Sequence, residues 1–270
     1  MGLETIQTFF EASWQQYCGI APDAALIEAA LVARGDRIVN DHVAYRTFDL
    51  PGVSRLELGR YFEQEGYERQ EDLEFPEKKL RATSWLHRNP LLPKVFISEL
   101  ELARVSPGLR EWVLSVTSQA RGKELRAEVF FGDNWPRPAL ADYLRFYPES
   151  EYAAWTAAFG IRANHFTVLV NELGSYAGSL ARLVSDLRGL GFELNSAGGV
   201  IKGSQVEGLE QASTLARRVP WSFSGGESAE IMSCYYEFAQ RHELTRGAGL
   251  FQGFVPASAD RIFESNFERR

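Results

Sequence analysis

Apolar and polar positions follow two different periods along the chain, and the switches between them lay out its elements. Phe9, Trp14, Leu26 and Ala30 fall at helical spacing with a break near Gly19 and Pro22, which predicts two leading helices. Residues 39–48, VNDHVAYRTF, change to the alternation of a half-buried strand. Segment 54–65 returns to helix with Leu58, Tyr61 and Phe62 at i, i+3 and i+4, and the turn EGYER ends it. Strands follow at RATSWLH and KVFISELEL.

The same order then recurs. Past a mixed helical stretch with Trp/Pro loops, RANHFTVLVN (162–171) reads as another strand with a histidine near its start. Segment 175–190 sets Tyr176, Leu180, Leu183, Val184, Leu187 and Leu190 on one helical face, GLGFEL repeats the Gly–aromatic turn, and strands at GLEQASTLA and IMSCYYEFAQ complete the unit. A histidine-bearing strand, a helix, a turn and further strands, occurring twice, indicate an internal duplication. The expected fold is α+β: two βαβββ modules forming a half-open barrel around a metal. The expected divisions are an N-terminal helical segment (1–36), a first module (37–103), a helical insertion (104–160) and a second module with a C-terminal helix (161–270). The insertion's amphipathic pattern predicts a lid over the barrel mouth.

Composition narrows the partners. With 45% hydrophobic and 13% aromatic residues, a chain of 270 can bury a large core. A net charge of −7 without clustered Lys and Arg argues against nucleic acid or an anionic membrane as the main partner. No apolar run approaches the ~20 residues that span a bilayer, the start lacks a basic-then-apolar leader, and Ile6 stands where a myristoylation signal takes Ser or Thr. The expectation is a cytoplasmic protein without a membrane partner. Cys18 and Cys234 offer neither a disulfide framework nor zinc-knuckle spacing, which suits a reducing compartment.

Strand alternation points His42, Ala44 and Arg46 to one face and Val43, Tyr45 and Thr47 to the other. The Cα atoms of His42 and Arg46 would lie roughly 13 Å apart at ~3.3 Å per residue, so the two are expected to share a cavity about one small dicarboxylate long. His165, Thr167 and Leu169 share a face of the second strand, and Ser233, Tyr235 and Glu237 one of the last. His42, His165 and Glu237, on three strands, make the ligand set of non-haem Fe(II) oxygen chemistry, with positions left for a chelating substrate and O₂; Zn(II) or Mn(II) would also bind. Singly, each residue has a plainer reading. A strand histidine is usually structural, the glutamate of YYEF is usually a solvated edge residue, and Arg46 has Asp41 and Asp49 as close partners in sequence. The repeat and the combined set favour a site. His87 and His242 have no repeating context and read as surface or structural residues. Gln211 and Ser213 share a strand face that is placed along the pocket.

DHVAYRTF, NHFTVLV, LEQASTLA, SCYYEF and the C-terminal GFVPASADRIFESN together resemble the 2-oxoadipate dioxygenase/decarboxylase family, a branch of the vicinal oxygen chelate superfamily similar to hydroxymandelate synthase and hydroxyphenylpyruvate dioxygenase. The resemblance spans about residues 38–267. It implies metal ligands at His42, His165 and Glu237, a carboxylate-binding Arg46, and late substrate contacts at Ala257 and Ser258, where Ala257 is smaller than the family's valine. It further implies Fe(II) as cofactor, a small 2-oxo acid and O₂ as substrates, and conversion of 2-oxoadipate to 2-hydroxyglutarate and CO₂, a reaction of lysine catabolism. Ser258 also reads as a helix N-cap whose N–H groups face a carboxylate.

Two other readings use the same fold. A glyoxalase-type lyase or isomerase would recruit a fourth ligand, Glu99 or Glu101, from a place in the first module like that of Glu237 in the second. A non-catalytic small-molecule-binding protein would hold no tight metal. A hydrolase would need a nucleophile beside a base, and neither Gly-x-Ser-x-Gly nor a Cys/His pair is present.

Overall fold

Helices α1 (Ile6–Cys18) and α2 (Pro22–Ala33) lead into the first strand, broken at residues 19–21 where Pro22 starts the second helix. The computed structural model describes residues 6–120 and 126–266; positions 1–5, 121–125 and 267–270, which the sequence reading assigns to the N-terminal segment, the insertion and the end of the second module, lie outside the described residues. The first repeat comprises β1 (Asn40–Phe48), α3 (Arg55–Gln64), β2 (Tyr67–Phe75), β3 (Leu80–His87) and β4 (Lys94–Leu100). Helices α4 (Pro107–Val116), α5 (Leu140–Phe146) and α6 (Glu151–Phe159) follow. The second repeat runs β5 (Ala163–Leu169), α7 (Leu180–Gly189), β6 (Lys202–Ser204), β7 (Leu209–Ser213), a hairpin of β8 (Arg218–Ser222) and β9 (Ser228–Met232), then β10 (Glu237–Arg241) and the closing α8 (Pro256–Ile262).

The duplication is explicit in the sheet, whose eight strands run β2-β3-β4-β1-β5-β10-β7-β6 and curl into a half-barrel. Read from either edge inward, each half is the second, third, fourth and first strand of its module. β1 lies parallel to β4 and β5 to β10, while β1 and β5 meet antiparallel at the centre. Both central strands are buried almost throughout, because helices or the opposite barrel wall cover both faces.

Helix α3 starts at a capping box between Ser54 and Glu57 and buries Leu58, Tyr61 and Phe62. Its Gly59 lets β3 approach: a Cβ there would stand 2.0 Å from the Trp85 ring. Gly59→Ala is therefore expected to lower stability by about 1–3 kcal/mol through overpacking, read as a fall in Tm with unchanged metal content.

Several elements differ from the sequence reading. β2 is not among the expected strands, and the turn EGYER covers only its first residues: it is a polar edge strand with only Tyr67, Leu73 and Phe75 buried, and a bulge between Arg69 and Asp72 breaks its alternation. β6 is too short to leave a pattern. IMSCYYEFAQ is not one strand: its start belongs to the separate β8–β9 hairpin, and residues 233–236 cross to the main sheet before β10 begins at Glu237. The Ser233 carbonyl there accepts from Trp155 Nε1 and Asn266 Nδ2 instead of a neighbouring strand. Helix α6 is no lid. All nine of its residues are buried, so it is a wedge in the core beside β1. Among the described residues no helix is long and apolar enough to cross a membrane.

Candidate metal centre

Both predicted histidines sit beside a β-bulge. Asp41 is the extra residue where β1 pairs β5, and Asn164 is the extra residue on β5 in the same ladder. A bulge turns neighbouring side chains toward one side, so consecutive residues that would face apart in a regular strand can touch. Asp41 Oδ1 accordingly lies 2.7 Å from His42 Nδ1, and Asn164 Oδ1 lies 3.5 Å from His165 Nδ1. The pairs Asp-His and Asn-His, each ahead of one repeat, were the sequence signal for these partners, and strict alternation hid them.

The bulges, with β10 in register against Thr167, bring three side chains together. Ligand atoms of His42, His165 and Glu237 all lie within 4.8 Å of one another, and all three residues are buried. His42 Nε2 stands 3.6 Å from Glu237 Oε1, and His165 Nε2 stands 3.3 Å from Glu237 Oε2. Gln211 Nε2 donates to Oε1 at 2.5 Å, while the buried Oε2 has no hydrogen-bond donor. Burial opposes charge on Asp41, yet Arg241 and Lys94 hold its carboxyl well below the usual range, so Asp41 is a carboxylate that accepts from His42 Nδ1. His42 Nε2 faces Glu237 and lies 3.0 Å from the Thr167 hydroxyl. Burial, helped by His42 and Arg46, holds His165 well below its ordinary value, hence neutral. Burial pushes the Glu237 carboxyl up, against the pull of His42. Two imidazoles and a buried carboxylate with one oxygen lacking a donor fit a divalent cation, which would compensate the carboxylate's charge.

With a metal bound, Asp41 would support the centre through His42 in the manner of carboxylate–histidine–metal triads. Asp41→Asn is expected to weaken metal affinity about 10–100-fold, measured by competition with a chelator.

The fourth-ligand positions are corrected by register. Ala44, two residues after His42, pairs with Phe96 of β4, as Thr167, two after His165, pairs with Glu237 of β10. The first-module counterpart of Glu237 is thus Phe96. Glu99 is consumed by Arg55 and Arg81, and Glu101 by Arg81 and Arg104. Phe96, with Phe254, Tyr235, Ile262 and Phe263, forms an apolar wall around the triad, whose residual cavity is about 20 Å³. That is room for about one water.

Arg46 is fully buried, but it and His42 line different cavities. Arg46 opens onto a larger one of about 570 Å³ with Lys78, Lys79, Glu151 and Tyr152, and Phe263 belongs to the walls of both. The partner of Arg46 is neither Asp41 nor Asp49. Its Nη1 donates to both oxygens of Glu151 at 3.0 and 3.2 Å, its Nη2 donates to Asn266 at 3.0 Å, and the Tyr152 and Trp155 rings flank it at 4.9 and 5.1 Å. Burial, opposed by Arg46, keeps the Glu151 carboxyl above its ordinary value.

Ala257 and Ser258 are placed differently from the expectation. Helix α8 is capped at Val255, Ala257 is exposed, and Ser258 lies in the first turn with its hydroxyl against Gly203 of β6. The C-terminal residues that reach the triad's cavity are Ala259, Ile262 and Phe263, one helical face further on, and Asn266 reaches Arg46. Ser213 is buried against Ser265 rather than lining the cavity. His87 and His242 lie outside the centre; His242 Nε2 is 2.8 Å from Glu210.

A family model described as 2-oxoadipate dioxygenase/decarboxylase matches residues 115–252. A chloroplastic 2-oxoadipate dioxygenase/decarboxylase from Arabidopsis thaliana is 32% identical over 270 residues, covering 91% of this chain and 73% of the relative. The crystal structure of hydroxyglutarate synthase in complex with 2-oxoadipate from Oryza sativa has a TM-score of 0.88 at 31% identity, over 96% of this chain and 91% of that one. A crystal structure from Shewanella frigidimarina NCIMB 400, provisionally named a hydrolase, has a TM-score of 0.85 at 39% identity, over 95% of this chain and all of that one. The buried Cys234 thiol, pushed up to about 12 by burial, faces the Ala163 carbonyl rather than a base, so it is not poised as a nucleophile.

Proposed function

Because the chain belongs to the 2-oxoadipate dioxygenase/decarboxylase family, we infer that it binds Fe(II) at His42, His165 and Glu237 and converts 2-oxoadipate and O₂ to 2-hydroxyglutarate and CO₂. The observation that carries this reading over an isomerase is Phe96. Where a duplicated site would supply a fourth protein ligand, the chain supplies a phenyl ring, so one side of the centre stays free for substrate and oxygen. Fe(II) bound there would supply the redox chemistry through which O₂ reacts with a 2-oxo acid.

The chain's own residues bind, orient and shield. Asp41 fixes the His42 ring, and Gln211 fixes one oxygen of Glu237, so the ligands are held before the metal arrives. Phe96, Phe254 and Phe263 exclude water from the reacting end of the substrate. Arg46 is the cation for the distal carboxylate, held rigid by two aromatic faces. The residual space at the triad cannot take a six-carbon diacid, so substrate entry requires Phe263 to move and joins the two cavities.

The test is to load purified protein anaerobically with Fe(II), add 2-oxoadipate and air, and follow O₂ uptake and 2-hydroxyglutarate by mass spectrometry. Equimolar O₂ use and product, abolished by His165→Ala, is the expected result. Metal binding without consumption of oxygen or acid would defeat the substrate assignment.

A further inference from the structure

We propose that Glu151 is a built-in stand-in for the substrate's distal carboxylate, holding Arg46 while the site is empty and leaving it when a dicarboxylic 2-oxo acid binds, so that it competes with diacids, and not with monoacids, for the guanidinium. The proposal rests on the reading of Arg46 given above and deepens it.

The Arg46 guanidinium already displays the contact a diacid would seek. Both Glu151 oxygens accept from Nη1, Asn266 accepts from Nη2, and Nε is buried without a partner. A second carboxylate cannot simply join the first. Two carboxylates on one buried guanidinium leave an uncompensated negative charge in a desolvated place, so the incoming group and Glu151 compete. A monocarboxylic acid of the same length would meet a neutral ion pair and leave Glu151 where it is.

Glu151 also has a place to go. It is the first residue of α6, after the cap Ser150, and it lines the 570 Å³ cavity. Lys78 and Lys79 line that cavity too, and the charge of Lys78 already acts on the Glu151 carboxyl. Lys78 is shared with Asp260 and Glu264 at 3.3 and 4.0 Å, next to Phe263, the residue common to both cavities. Rotation of Glu151 toward Lys78 would vacate Arg46 and draw on the same ion pairs that hold the C-terminal helix against the first module. Glu77 and Glu149 also face this cavity from other elements, and Glu149 is taken by the Ser106 N–H and hydroxyl.

The experiment compares wild type with Glu151→Gln, which keeps size and an acceptor for Arg46 but removes the competing charge. Calorimetry on the metal-free proteins gives Kd for 2-oxoadipate and for 2-oxohexanoate, and turnover of the Fe(II)-loaded proteins gives KM for both. The expected result is roughly tenfold tighter 2-oxoadipate binding in the variant, with 2-oxohexanoate unchanged. Unchanged or weaker 2-oxoadipate binding in the folded variant would overturn the proposal. If the glutamine variant does not fold, Glu151→Asp, which keeps the charge but retracts it by one methylene, should tighten 2-oxoadipate by about two- to threefold, and no tightening counts against the proposal. Failure of the proposed function looks different. If wild type consumes neither acid while calorimetry still shows the diacid-selective gain, the reaction is wrong and the role of Glu151 stands; if wild type turns over 2-oxoadipate and the variant shifts neither acid, the reverse holds.

Discussion

Glu237→Gln is expected to make the metal-free protein more stable and to abolish metal binding and activity together. Glu237 is completely buried, one of its oxygens has no donor, and burial pushes its carboxyl up. A glutamine keeps the contact with Gln211 and removes the buried charge, so stability without metal should rise by about 1–3 kcal/mol. Divalent metal, which should raise the Tm of wild type through binding the folded state alone, should leave the variant's Tm unchanged. Turnover should fall about 10³-fold or more, since several kcal/mol of metal-dependent stabilisation is lost. The pH dependence has a definite sign. With its folded-state carboxyl raised, metal-free wild type keeps a proton that the unfolded chain has released, so its stability falls as pH rises from the ordinary carboxylate range through the raised value. The glutamine variant lacks that slope. Thermal melts across pH with and without Fe(II) check all of this; metal-dependent stabilisation that survives the substitution would remove Glu237 from the ligand set.

Arg46→Ala is expected to act on substrate and on stability while sparing the metal. Removing the guanidinium takes away the cation proposed for the distal carboxylate, which should raise KM for 2-oxoadipate about 10²-fold or more. It also strands Glu151 in the core, which should destabilise the fold by about 3–5 kcal/mol, or a Tm loss on the order of 10 °C. The double variant Arg46→Ala/Glu151→Gln separates the two effects: stability should largely return because no lone charge remains, whereas KM should stay high. Metal content, read by elemental analysis, should match wild type in both. Loss of metal would make Arg46 a support of the centre instead of a substrate residue.

The difference between His42 and Arg46 illustrates how far a linear pattern reaches. Both were found by their place on β1, four residues apart on one face. Which cavity each enters depends on Phe263, more than two hundred residues away in sequence, whose ring packs against Phe75 and forms part of both cavity walls. Arg46 was assigned possible partners among nearby aspartates because sequence proximity is the only distance a string offers. Its actual partner, Glu151, arrives from α6, a helix buried along its whole length rather than a surface lid. Asp41, one of those aspartates, instead meets His42: regular alternation would point the two apart, and a bulge turns them together.

By itself, the sequence determined the repeated strand–helix–strand order, the two histidines and the glutamate, because burial periodicity and residue chemistry are local properties that survive in a string. The tertiary structure decided what those residues face: the pairing of Ala44 with Phe96 that denies a fourth ligand, the bulges that bring Asp41 and Asn164 to the histidines, and the burial of Arg46 against Glu151. These are matters of register and of contacts between distant segments. Cross-strand pairing and long-range packing fix them, and neither has a period that one strand or one helix can display.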